Sequence, residues 1–426
     1  MHLGRLNAGV HLGRLTPPGT SRDGQTLVVA RAVRAFGDGF VSVLLPAYLL
    51  ALGLGDLQVG AIATATLLGS ALLTLLVGFS AARFPRRSLL IGAALLMAAT
   101  GLAFDVVREF WPMLVVAFVG TLNPSSGDVS VFLPLEQAVL PQTVEPVRRT
   151  GLFARYGLAG SLAGACGSLC AGLPTFVTAR APVALVDALA AMFLVYGLLG
   201  LVAVGLYRRL SPAIESKASR DQAPLREARG IVLRLAGLFS LDAFGGGLVV
   251  QSLLALWLFQ RFGLSIGVAG TLFFWTGVLS AISYPVASWL AGRIGLVNTM
   301  VFTHLPSNVL LVLVPFMPNL PLALGLLLAR SALSQMDVPT RNSYVMAVVP
   351  AAERPAAASV TSVPRSLATA ASPLLAGYLF SLSTFGWPLV VAGACKGVYD
   401  LLLLKQFASV RPPEEAERRV AARAGG

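Results

Sequence analysis

Apolar residues run through this chain in long stretches divided by short polar breaks: 25–53, 58–82, 87–106, 111–138, 150–173, 182–206, 230–260, 266–291, 297–316, 320–349, 356–381 and 386–405. A helix rising about 1.5 Å per residue needs about 20 apolar residues to cross the hydrocarbon core, and each stretch is of that order. The pattern predicts an all-α membrane protein with twelve transmembrane helices. The longest break, 208–229, is polar and charged and lies near mid-chain. It separates a bundle over 25–207 from a second over 230–406, with tails at 1–24 and 407–426.

The two halves repeat one another. SLAGACGSLCAG (161–172) aligns with SLATAASPLLAG (366–377) at an offset of 205, and FGDGF (36–40) aligns with FGGGL (244–248) at 208. Asp128-Val129 and Pro141 align with Asp337-Val338 and Pro350 at 209, and Arg83 in the second-to-third loop aligns with Arg293 in the eighth-to-ninth. Anchors at nearly one offset predict two parallel six-helix repeats, one of the architectures of secondary transporters, with the substrate site near the midplane between them.

Composition narrows the function. With 56% hydrophobic residues, 12% charged and a mean hydropathy of +0.78, the chain is no ordinary soluble protein. Three cysteines and three histidines support neither a disulfide framework nor a metal cage. The formal charge of +13 comes from basic residues that punctuate apolar runs, so it reads as topology and not as a nucleic-acid surface. Placing both termini in the cytoplasm gathers Arg83, Arg86, Arg87, Arg148, Arg149, Arg208 and Arg209 there and leaves Arg108, Arg180 and Arg261 outside. The first 24 residues lack a signal-peptide pattern, and no Gly-rich loop with a lysine suggests a nucleotide. No cofactor is expected, and no enzyme: the cavity helices offer no histidine to activate a nucleophile. A sensor would ordinarily bring a signalling domain, for which tails of about 20 residues leave no room. Arginine-heavy usage, 29 Arg to 3 Lys, fits a bacterial inner membrane.

In the loop after the second helix, Gly78, Arg83, Arg86 and Arg87 match G-x-x-x-D-R-x-G-R-R, with Ala82 in place of the Asp and Pro85 in place of the second Gly. Over essentially its whole length the chain resembles the major facilitator superfamily, whose pattern this is. The resemblance implies that helices 1, 4, 7 and 10 line a central path, and that Gly78, Arg83, Arg86 and Arg87 act at a cytoplasmic gate. Helix 5 keeps Gly151, Gly160 and Gly164 of a glycine pattern found in the drug/proton antiporter branch, but has Ala165 for its Pro and Ser168-Leu169 for its final Gly pair. In helix 4, Asn123 stands four residues ahead of Gly127, where that branch has Arg.

A charge facing lipid at mid-bilayer costs about 2.5–3.5 kcal/mol even on the lenient insertion scale, so charges inside the spans must face protein or a wet cavity. Arg31, Arg34 and Asp38 share one face of helix 1. Arg34 and Asp38 are read either as an i, i+4 pair locking the helix or as a site where Asp38 carries a proton. Arg330, Ser334, Asp337 and Arg341 make a polar stripe on helix 10, and Asp128 stands at the position of helix 4 equivalent to Asp337. Helix 11 contributes Arg365, and helix 7 contributes Asp242 and Gln251. Glu136 is expected to meet loop arginines, Lys396 and Asp400 to pair along helix 12, and His304 to have a structural place. Burial and arginine neighbours pull an aspartate's affinity for protons in opposite directions. Asp38, Asp128 and Asp337 are therefore the expected proton carriers, with Arg330, Arg341, Arg365, Asp242 and Gln251 at the substrate site. The function expected is secondary active transport by alternating access, as proton-coupled efflux of a small organic compound. The alternative is proton-coupled uptake or exchange of an anionic metabolite, with lipid, substrate and protons as the partners.

Overall fold

The computed structural model describes residues 16–80, 83–125, 130–145, 148–215, 225–350 and 353–407. Most of both tails, Ala82, Gly127, Asp128 and part of the central loop lie outside the described residues. The first half holds α1 (Arg22–Ala51), α2 (Asp56–Ser80), α3 (Arg86–Val106), α4 (Phe110–Val119), α5 (Phe132–Val139), α6 (Arg149–Cys170), α7 (Leu173–Thr178) and α8 (Leu185–Tyr207). The second holds α9 (Arg229–Leu248), α10 (Gln251–Phe262), α11 (Ile266–Ile294), α12 (Leu296–Leu313), α13 (Leu320–Ser334), α14 (Asp337–Val348), α15 (Arg354–Leu382) and α16 (Trp387–Phe407).

Among the described residues, eight stretches are long and apolar enough to cross a membrane: 56–78, 86–106, 151–178, 185–207, 229–262, 266–294, 296–316 and 387–407. The expected segments outside that set are those of α1, α4 with α5, α13 with α14, and α15.

Among the described residues, three of the expected segments are interrupted. The fourth segment parts between Val119 and Phe132, around Pro124, which has no N–H to give a helix. Asn123 Oδ1 takes the backbone N–H and hydroxyl of Ser125 there (3.1 and 2.7 Å). The seventh segment parts at Val249 and Val250, after three glycines, and the tenth at Gln335 and Met336, just ahead of Pro339. Bare backbone is tolerated at membrane depth only where protein or a wet cavity satisfies it. Here Ser252 N–H, at the start of α10, donates to the Pro124 carbonyl of the other break (3.1 Å). Pro46 and Pro364 sit inside unbroken α1 and α15.

Apolar side chains cover the outside of the molecule and fill most of its core, and the charges of the spans are buried among them. Leu76, Val106, Val115, Leu201, Phe302 and Leu382 face outward, while Arg34, Asp38, Glu136, Asp242, Asp337, Arg341 and Asp400 are buried. Between lipid-facing helices there is little hydrophobic gain, so association rests on close packing. Gly39 on α1 meets Gly164 on α6, where an added Cβ would lie 2.0 Å from the Gly164 carbonyl. An added Cβ at Gly167 would lie 1.9 Å from the Phe36 carbonyl.

Among the described residues, the close approaches between the halves gather at one end. At the arginine-poor end, a Cβ on Gly60 of α2 would lie 2.6 Å from the Pro373 carbonyl and 2.9 Å from Gly377 Cα of α15. A Cβ on Gly172 would lie 3.2 Å from Gly267 Cα. Gly172 and Gly377 are repeat equivalents, so the closure has the symmetry of the duplication. Hydrogen bonds between halves also fall toward this end: Leu374 N–H to Thr64 (2.9 Å), Gln251 to Ser168 (3.2 Å), and Gln260 to Asp56. Toward the arginine-rich end, Gly78, Gly157 and Gly292 have open space beside them.

Candidate functional site

Between the halves lies a cavity of about 380 Å³. All five residues expected at the substrate site line it: Asp242 and Gln251 from the seventh segment, Arg330 and Arg341 from the tenth, and Arg365 from α15. Asp337 lines it too. The helical breaks explain part of this convergence. Gln251 opens α10, where its amide bonds Ser168 of the opposite half, and Asp337 opens α14, which starts a fresh helical axis.

The charges of the second half form one network across four helices. Arg341 Nη1 donates to Asp242 Oδ2 (3.1 Å) and to Asp337 Oδ2 one turn back (3.0 Å). Lys396 Nζ donates to the other Asp242 oxygen at 2.6 Å. The expected Lys396–Asp400 pair is therefore replaced: Asp400 meets His304 Nδ1 (2.9 Å) and the Asn308 amide (2.8 Å), and His304 Nε2 faces Asp242 at 3.8 Å. Sequence reasoning set His304 aside, yet it joins the cavity wall to the fully buried Asp400. The signal available was His304 with Asn308 one turn on, two polar side chains on one face of a largely apolar helix.

The first half carries a counterpart. Arg34 does not pair with Asp38; it reaches Glu136 on α5, donates through Nε to the Tyr207 hydroxyl (2.9 Å), and stacks 4.0 Å over the Phe132 ring. Tyr207 donates to Glu136 Oε1 at 2.6 Å, and Tyr156 donates to its other oxygen. Glu136 is fully buried and meets none of the loop arginines expected for it. By the 208 offset, Arg34 and Asp242 occupy equivalent positions, so the halves use one device with opposite signs. Asp38 lies buried beside this lock, its carboxylate bonded by the Asn123 amide, and does not line the cavity. Asp128, the third expected proton carrier, lies outside the described residues.

At the arginine-rich end, Gly78 and Arg83 lie at the loop expected to gate. Arg86 and Arg87 are held by the start of the central loop: both backbone N–H groups donate to Glu215 (2.7 and 2.9 Å), and the guanidinium of Arg87 reaches the Arg208 carbonyl. Glu215 thus brings to the start of α3 a carboxylate that the loop itself lacks.

The sequence matches the family model described as Major Facilitator Superfamily over residues 27–305 and 235–425. It is 23% identical to an uncharacterized membrane protein of Saccharomyces cerevisiae, over 92% of this chain and 95% of that protein. In structure it resembles the nucleoside transporter NupG, with TM-score 0.70, 12% identity, and coverage of 91% of this chain and 99% of that one. It also resembles a bacterial homolog of the human lysosomal transporter Spinster in an inward-facing, unoccupied conformation, with TM-score 0.69, 14% identity, and coverage of 91% and 96%. Polar cavity, duplicated bundle and family match together place this multi-pass membrane protein in the major facilitator superfamily.

Proposed function

We propose that the protein is a secondary transporter that moves a small polar compound by alternating access and couples that movement to protons. The observation that carries this reading is the cavity between the halves, shut at one end by paired glycine contacts and walled by polar groups from both. The arginine bias puts the open end in the cytoplasm, with both termini on that side. That arrangement agrees with the inward-facing state named for the Spinster homolog.

Proton coupling is supported by the titratable groups gathered in the second-half network. Asp242, Asp337 and Asp400 share Arg341 and Lys396, and His304 stands between Asp400 and Asp242. A proton moving on or off His304 would change what both carboxylates meet. Rocking that pulled Arg341 from Asp337 would change proton affinity in the same place. Asp38 and Asp128 are the equivalent candidates in the first half, and Arg83, Arg86 and Arg87 the proposed gate. The glycines that suggested efflux serve packing in this structure: Gly164 admits α1, and Gly160 sits against Arg31. A carrier working in either direction would use them.

The test is proteoliposomes carrying a pH dye, challenged with cationic, neutral and anionic compounds against empty vesicles. Substrate-evoked proton movement is expected in the native protein. In Asp337→Asn or His304→Gln it should be lost while substrate exchange persists. Native pH dependence in Asp38→Asn, Asp128→Asn, Asp337→Asn and His304→Gln alike would remove the proton-carrier assignment.

A further inference from the structure

We infer that the cavity binds its substrate as an organic oxyanion, a carboxylate or phosphate on a compact hydroxylated body, held between Arg31 of one half and Arg330 of the other. The inference rests on the transport reading for calling that ligand a substrate. The binding chemistry comes from the site itself.

Arg31 is only 8% exposed, lines the cavity, and has a buried Nε with no hydrogen-bond partner. Its nearest aromatic contact, the Tyr156 ring, is 5.8 Å away. The acid on its own helix face, Asp38, feels the charge of Arg31 but takes its hydrogen bond from Asn123, and makes no ion pair with Arg31. Arg330 also lines the cavity and has a buried, unpartnered Nε. The carboxylate nearest to it electrostatically, Asp242, is already held by Arg341 and Lys396. Neither guanidinium makes an ion pair among the described residues. The cavity wall itself carries Arg31, Arg330, Arg341, Arg365 and Lys396 against Asp242 and Asp337, so its lining is positive on balance.

A guanidinium withdrawn from water without a counter-ion is costly, and fixed guanidiniums in a cavity mark a place for an anion that arrives. Their planar fork matches a carboxylate or phosphate in two parallel bonds. Gly160 keeps room for the first of them: an added Cβ would stand 2.6 Å from Arg31 Nε. The remaining wall suits hydroxyl groups, with Ser161, Ser168, Gln251, Thr276, Ser280 and Ser334. A volume of about 380 Å³ lies near the small end for ligand pockets, which suits a compact molecule over a long or bulky one. Because the two arginines come from opposite halves, a bound anion would tie the halves together.

The experiment is ligand binding to the purified full chain in detergent, without any gradient, using gluconate and glucose 6-phosphate against sorbitol, glucose and glucosamine. Either or both anions should bind and raise the thermal midpoint, and the neutral and cationic members should not. Gluconate alone would assign a carboxylate, and glucose 6-phosphate alone a phosphate. Arg31→Gln and Arg330→Gln should each weaken anion binding about 10- to 100-fold. Arg330→Lys should keep part of the affinity, and all variants should remain monodisperse. The inference is overturned if no anion in the panel binds, if sorbitol or glucosamine binds as well as the anions, or if both glutamine variants keep native affinity. Anion binding with these dependences but no flux in vesicles would defeat the transport reading and leave the anion site standing. Flux of a cation indifferent to both arginines would do the reverse.

Discussion

At the scale of single residues, the Arg34–Glu136 pair shows what a sequence hides. Both charges stand out within apolar stretches, and the cost of exposing them to lipid says that each needs a partner. Which partner depends on helices more than 100 residues apart. Local spacing offered Asp38 at i, i+4, but packing delivered Glu136 with Tyr156 and Tyr207 around it. Glu136→Ala should cost about 3–5 kcal/mol of unfolding free energy in detergent, because it strands Arg34 in a buried site. The double change Arg34→Leu with Glu136→Ala should recover most of that loss. A double variant no more stable than the single one would mean that the tyrosines, and not the ion pair, hold this corner. The cavity-lining residues were more legible. The i, i+4, i+7, i+11 stripe from Arg330 to Arg341 had no lipid-compatible reading, and the structure turns Arg330, Ser334, Asp337 and Arg341 to the cavity.

At the scale of helices, the repeat was readable because it lies in residue identity. The offset joining 161–172 to 366–377 joins the two glycine contacts that close the arginine-poor end. The breaks were only half readable: Pro124 announces one, whereas the break at Val249 follows three glycines and is stabilised by a backbone bond to the opposite half. Gly39→Ala should lower stability and yield, since its Cβ would meet the Gly164 carbonyl at 2.0 Å, whereas Gly92→Ala, with nothing within 4 Å, should be near neutral. Equal effects in a thermal assay would remove close approach as the reason for Gly39. Outside the spans, Glu353 accepts the backbone N–H groups of Arg226, Glu227 and Ala228 (3.0, 2.9 and 3.2 Å) and so fastens the entry to α9 beside α15. These bonds hold its carboxyl below the usual carboxylate range. A carboxyl whose folded value is depressed stabilises the fold above its unfolded pKa, and loses that contribution as pH falls through its folded value. Glu353→Gln should therefore be less stable than the native protein at neutral pH, with the two converging below the usual glutamate range. A constant difference across that range would contradict the assignment.

At the scale of the whole molecule, closure at one end and separation at the other make this one of the states that alternating access requires. Replacing Asp56 and Gln260, whose side chains meet across the halves, by cysteine in a protein already freed of Cys166, Cys170 and Cys395 should let a short bifunctional thiol reagent fix the arginine-poor end shut. Cross-linking should abolish transport and leave ligand binding from the arginine-rich side intact; undiminished transport after complete cross-linking would show that this end need not open. The placement of Arg31 and Arg330 on opposite halves bears on traffic as well as on affinity. Drying the empty cavity would bring like charges together where water no longer screens them, so the unloaded protein resists the swing that the loaded one makes readily. Such a carrier trades one passenger for another and seldom crosses empty. Labelled anion should leave preloaded vesicles faster when unlabelled anion waits outside than when buffer does.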